Sequence, residues 1–166
     1  MGHKEHKDKA PEHIRCFVIT VSDSRTEETD TSGRLIQDML KENNHEVVDY
    51  EIIKDDPAEI KKLLEGTDKK SVQAIIINGG TGISRRDSTF EAVSLVLEKK
   101  IDGFGEIFRY LSYCEIGSPA MMSRAIAGTS KGRIIISIPG SKSAVRLAMS
   151  KLILPELGHM VFEANR

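Results

Sequence analysis

The chain has 166 residues, 24 Lys and Arg against 25 Asp and Glu, and a formal net charge of −1, so no cationic footprint for nucleic acid is present. No apolar run approaches the roughly 18 residues that a membrane span needs, and a cytoplasmic protein with a small-molecule partner is expected. Its two cysteines, Cys16 and Cys114, lack Cys-x-x-Cys spacing; neither a zinc site nor a disulfide framework is indicated, and both read as reduced packing residues.

Residues 1–13 are rich in lysine and include His3, His6 and His13 but have no apolar core, which predicts a flexible tail and one domain over 14–166. Residues 14–21 form a β-branched run that predicts a first strand, ending at Ser22, Asp23, Ser24 and Arg25. Cap residues at 29–31 open a helix that runs to Asn43, with Leu35, Ile36, Met39 and Leu40 on one face. A second strand is expected over 46–54, a helix over 57–64 and a doubly buried strand over 72–77. Helices over 88–97 and 103–113 follow. The stretch 121–127 leads into a buried strand over 134–138, and helices over 142–154 and 156–164 close the chain. Strands alternating with helices of this length imply βαβ crossovers, hence a three-layer α/β/α fold with a mostly parallel sheet. In such sheets ligands sit beyond the carboxyl ends of the strands, where three loops are candidates: 22–25, 79–87 and 139–143.

The loop Gly79-Gly80-Thr81-Gly82 leaves a buried strand and leads to a helix, and Arg85 and Arg86 add positive charge beside it. Glycines permit close backbone approach, and a helix start favours an anion, so the loop reads as a phosphate site. It has neither the Gly-Lys-Ser/Thr of a Walker loop nor the dinucleotide Gly-x-Gly-x-x-Gly pattern. Capping logic sorts the nearby carboxylates. Ser88 and Glu91 have capping-box spacing, so Asp87 is not needed to start its helix; Asp56, Pro57 and Glu59 account for the helix at 57, so Asp55 is not needed there. A magnesium ligand or base beside phosphate is the functional reading of Asp87, and Asp55 falls at the same end of the sheet. Ser141, after Pro139 and Gly140, reads as a helix cap that could also face an anion.

Val21-Ser22-Asp23-Ser24, Asp30-Thr31-Ser32-Gly33, the Gly79 to Gly82 loop with Arg86-Asp87, Met122-Ser123-Arg124-Ala125 and Ile138-Pro139-Gly140-Ser141 occur in one order along the chain. Together they resemble the MoaB/Mog family of molybdenum cofactor biosynthesis proteins, related to the G domain of gephyrin, over about residues 14–157. The resemblance implies a molybdopterin-binding fold, commonly a homotrimer, that adenylylates molybdopterin with ATP and Mg²⁺. It places two acidic catalytic and metal-holding positions on Asp55 and Asp87. Gly79, Gly80, Thr81, Gly82, Arg86, Pro139, Gly140 and Ser141 would then hold pterin or phosphate, and Ser22, Asp23, Ser123 and Gly128 would lie near nucleotide or pterin. A molybdenum-insertion protein is a candidate partner. Two departures from many adenylyltransferase relatives stand out: Pro-Gly-Ser-Lys in the last loop, and Phe90 where a proline is common. A non-catalytic pterin carrier is the alternative function. A flavodoxin-like flavin protein is disfavoured, since only three tyrosines and no tryptophan are available to stack a flavin.

Overall fold

Alternation along the first strand builds both faces of the molecule. The structure, a computed structural model, describes residues 9–67 and 71–166. In β1 (Arg15–Val21), Cys16 and Val18 enter one apolar cluster, whereas Phe17, Ile19 and Val21 enter a second. A strand with period two and both faces covered must divide its side chains this way. The first cluster takes Ile36 and Leu40 from α1 (Thr31–Glu42); the second takes Ile60 and Leu64 from α2 (Pro57–Gly66) and Ala92 and Val93 from α3 (Thr89–Val96). On the α1 side lie Phe104 and Phe108 of α4 (Asp102–Ile116), Val145 of α5 (Lys142–Ala148) and Leu157 and Val161 of α6 (Leu154–Ala164). This is the expected α/β/α layering.

The sheet has six strands in the order β2-β1-β3-β6-β5-β4. Strands β2 (Glu46–Ile53), β1, β3 (Ala74–Asn78) and β6 (Arg133–Ile138) pair in parallel, with Val18 opposite both Tyr50 and Ile76, and Ile76 opposite Ile136. Strand β5 (Ile126–Ser130) runs antiparallel to β6 and to the two-residue β4 (Lys99–Lys100). Neither β4 nor β5 is among the strands expected from sequence. The signal for β5 is a tight turn: Lys131 and Gly132 have φ of 53° and 73°, the two positive values that a type I′ hairpin requires.

Other boundaries also differ. The helix expected over 142–154 is interrupted by a π-helical turn at Met149–Ile153, and Ser118–Met122 forms a 3-10 turn. Phe104 and Phe108 are core residues, while Ile107, Tyr110, Tyr113 and Ile116 are exposed at helical i+3 spacing on α4. Cys16 is fully buried, and burial pushes its thiol pKa up to about 12; Cys114 is exposed, so only Cys16 is a packing residue. Residues 1–8 of the expected tail lie outside the described residues. Its last residues touch the domain: the Pro11 carbonyl lies 2.3 Å from where a Cβ on Gly158 would stand, and His13 Nδ1 is 2.6 Å from the Asn44 carbonyl. Among the described residues no helix is long and apolar enough to cross a membrane.

Candidate functional site

The chain leaves β1 through α1 on one face and returns from β2 to β3 through α2 on the other, so the connections diverge between β1 and β3. A crevice opens at the carboxyl ends of parallel strands at such a point. A cavity of about 480 Å³ lies there, lined by Val21, Ser22, Ser24, Arg25, Gly79, Gly80, Thr81, Gly82, Asp87, Met122, Ser123, Pro139 and Gly140. The loops after β1, β3 and β6 therefore meet in one cavity, as their order along the chain predicts.

Two glycines are required by geometry. Gly79 has φ +97°, and a Cβ there would stand 2.3 Å from the Val21 carbonyl; Gly80 has φ +65°, and its Cβ would meet Thr89 Oγ1 at 2.1 Å and Asp55 Oδ2 at 2.7 Å. Both the left-handed backbone and the close approach exclude side chains. The amides of Gly80, Thr81, Gly82 and Ile83 donate to no backbone carbonyl among the described residues, and the first three of these residues line the cavity. Such a run of amides suits an anion.

The aspartates divide by how many of their oxygens are engaged. Asp55 Oδ1 accepts from Ser88 N at 3.0 Å and Ser88 Oγ at 2.6 Å. Asp87 Oδ2 accepts from Ser84 N at 3.0 Å and Ser84 Oγ at 2.6 Å. Each thus uses one oxygen for local order and keeps the other clear of described protein donors. Asp23 differs: Oδ1 accepts from the Asp55 amide at 3.1 Å and Oδ2 from Arg86 at 2.9 Å. Both of its oxygens are thus engaged within the protein. Asp56 caps α2 as expected, accepting from the amides of Ala58 at 2.8 Å and Glu59 at 3.2 Å; its own amide donates to the Lys54 carbonyl rather than to Glu59.

The capping box expected at α3 does not form. Ser88 makes no side-chain cap bond, because its hydroxyl is turned to Asp55, and Glu91 is drawn to Arg124. Arg86, expected to face phosphate, instead reaches Asp23 and does not line the cavity. The guanidinium that does line it is Arg25, which donates to the Gly140 carbonyl and Ser32 Oγ, each at 3.1 Å, and pairs with Asp30 at 3.4 Å. Asp30 is buried and also accepts from Thr20 Oγ1 at 2.6 Å, Gly33 N at 3.0 Å and the Tyr50 hydroxyl. Burial and this carboxylate push the Tyr50 pKa upward. Arg25 lies in a loop marked as a candidate from sequence and Asp30 in a motif of the resemblance, but neither was given a role in the site, since a lone arginine in a polar loop carries no periodic signal.

Ser141 caps α5 through Ala144 N at 3.2 Å, beside the lining residues Pro139 and Gly140. Gly128 stands apart from the cavity. It pairs with Lys100 and Ile135 in the sheet, where a Cβ would meet the Lys99 carbonyl at 2.2 Å, so close strand packing explains this glycine.

Comparison with known proteins agrees with this architecture. The model of a family described as a probable molybdopterin binding domain matches residues 17–159. A molybdenum cofactor biosynthesis protein B from Bacillus cereus is 56% identical over 168 aligned positions, covering 100% of this chain and 99% of the relative, and one from Bacillus subtilis is 50% identical with the same coverage. A crystal structure of molybdenum cofactor biosynthesis protein B superposes with a TM-score of 0.90 at 57% identity, over 95% of this chain and 99% of the other. A tungsten cofactor synthesizing protein MoaB from Pyrococcus furiosus gives 0.84 at 36% identity, over 95% and 100% of the two chains. With its loops, glycines and cavity in that fold, the chain belongs to the MoaB/Mog family of molybdenum cofactor biosynthesis proteins.

Proposed function

We propose that this protein is a molybdopterin adenylyltransferase. The observation that carries the reading is the pair of aspartates at the Gly-rich loop, each holding one carboxylate oxygen clear of described protein donors: Asp55 Oδ2 beside Gly80 and Asp87 Oδ1 beside Gly82. In the reaction, a terminal phosphate oxygen of molybdopterin forms a bond to the α-phosphorus of ATP, the bond from that phosphorus to the bridging oxygen breaks, and pyrophosphate leaves. Catalysis of this kind is mainly positioning and charge neutralisation.

Asp55 and Asp87 are hard oxygen donors suited to Mg²⁺. Mg²⁺ is commonly held by one or two carboxylates with substrate phosphates completing its shell, a demand that this pair meets. When bound, Mg²⁺ would neutralise phosphate charge. The loop amides would hold phosphate oxygens, and Arg25 would add positive charge at the wall formed by Gly140.

The test is incubation of the purified protein with molybdopterin, ATP and Mg²⁺, with mass detection of adenylylated molybdopterin and pyrophosphate. Pterin binding without ATP-dependent product would replace the enzyme by a carrier. A homotrimer is proposed with it, supported by exposed Ile107, Tyr110, Tyr113 and Ile116 on α4; light scattering should report about three times the 18.4 kDa chain.

A further inference from the structure

We propose that Arg124 is a positioning residue that turns the amides of the Gly-rich loop toward the bound anion, an inference that rests on the anion-binding reading of that loop. Arg124 lies between the 3-10 turn and β5 and is not among the residues lining the cavity. Its Nε donates to the Thr81 carbonyl at 2.9 Å and its Nη2 to the Gly82 carbonyl at 2.5 Å. Glu91 pairs with Nη1 and accepts from Nη2 at 3.3 Å, and the guanidinium carbon lies 4.9 Å from the Phe90 ring centre. One planar group is thus held by two carbonyls, a carboxylate and an aromatic face.

The consequence follows from peptide geometry. In a trans peptide the carbonyl and the following N–H point in opposite directions, and no cis peptide occurs among the described residues. Fixing the carbonyls of Thr81 and Gly82 on Arg124 therefore aims the amides of Gly82 and Ile83 away from it. Thr81 and Gly82 line the cavity, so the Gly82 amide is turned away from Arg124 at a residue of the cavity wall, with Ile83 following it. Neither amide donates to a backbone carbonyl among the described residues.

Arginine chemistry is needed because its fork presents fixed in-plane donors, whereas a lysine ammonium presents a point charge. The hydrogen bond from Arg124 also holds the Glu91 carboxyl below its usual range, as expected for a charge-assisted pair. Phe90 supplies the stacking face.

The experiment titrates inorganic pyrophosphate into nitrogen-15-labelled full-length wild type, R124A, R124K and E91Q, following the Gly82 and Ile83 amide resonances together with melting temperature. Wild type should shift both resonances on binding; R124A should lose these shifts and bind about tenfold more weakly, the scale of one charge-assisted hydrogen bond. R124K should behave like R124A despite keeping its charge, and E91Q should fall between. Wild-type shifts and affinity in R124A or R124K would overturn the proposal. Should R124A fail to fold, E91Q decides: unchanged shifts and affinity overturn it, and weakened binding with native melting supports it. Wild type whose loop amides do not respond to pyrophosphate would overturn it together with the anion-binding reading. Wild type that responds but forms no adenylylated molybdopterin would remove only the proposed reaction.

Discussion

The starts of α2 and α3 look alike in sequence and are built differently. At α2, Asp56 caps the amides of Ala58 and Glu59, and Pro57 occupies the first helical position, so every bond is local. At α3, Ser88 and Glu91 have the same spacing but abandon each other: Ser88 binds Asp55 from the neighbouring loop, and Glu91 binds Arg124. A side-chain N-cap made at one helix and given up at the other marks where tertiary contacts outweigh local preference. The break occurs beside the Gly-rich loop that lines the cavity, and such exceptions are expected near functional sites.

The sharpest way to break this comparison is Asp87→Asn. The substitution keeps an oxygen for the Ser84 bonds and removes the charge, so turnover should fall on the order of 10² or more while melting changes little. Single-turnover adenylylation at wild-type rate would take Asp87 out of the mechanism. Asp55→Asn should follow in the same direction, since its remaining oxygen can still accept from Ser88.

Asp56→Ala sharpens the comparison from the other helix. Loss of this cap should cost about 0.5–2 kcal/mol of stability and leave turnover per folded molecule unchanged. Denaturant melts and rates measured on both variants must cross over. Full stability with lost activity in Asp56→Ala would mean that the two helix starts do not divide as structure and site.

A smaller effect separates both from the domain's far edge. His45 is buried, accepts from the Ile14 amide at 3.2 Å, and has its pKa lowered by burial and by His13. A base with a depressed folded-state pKa favours the unfolded chain on acidification. Its contribution is therefore present above about pH 6.5 and is lost as pH falls through the folded value. Melting temperature should decline over that window, and less so in His45→Gln, whose amide oxygen can still accept the bond. An identical pH profile for the two proteins would remove His45 as a cause.

Much of this was legible along the chain. Apolar runs of period two and helical faces such as Ile36 and Leu40 predicted layers, strands and loop order, because local stereochemistry and burial pattern repeat at fixed spacing. The glycines at 79 and 80 and the two aspartates at 55 and 87 were also visible, since turn geometry and capping chemistry are short-range. The hairpin joining β5 and β6 was passed over because its signal is only two residues, Lys131 and Gly132.

What the sequence by itself determined was the parallel α/β fold, the glycines at 79 and 80 and the set of polar loops brought to one edge of the sheet. Only the tertiary structure decided which charges face the cavity: Arg25 rather than Arg86, with Asp23 tied up and Gly128 spent on strand packing. Arg124 meets Thr81, Gly82 and Glu91 for the same reason. These partners lie more than thirty residues away in the chain, and a contact of that range depends on how layers pack, which no local spacing encodes.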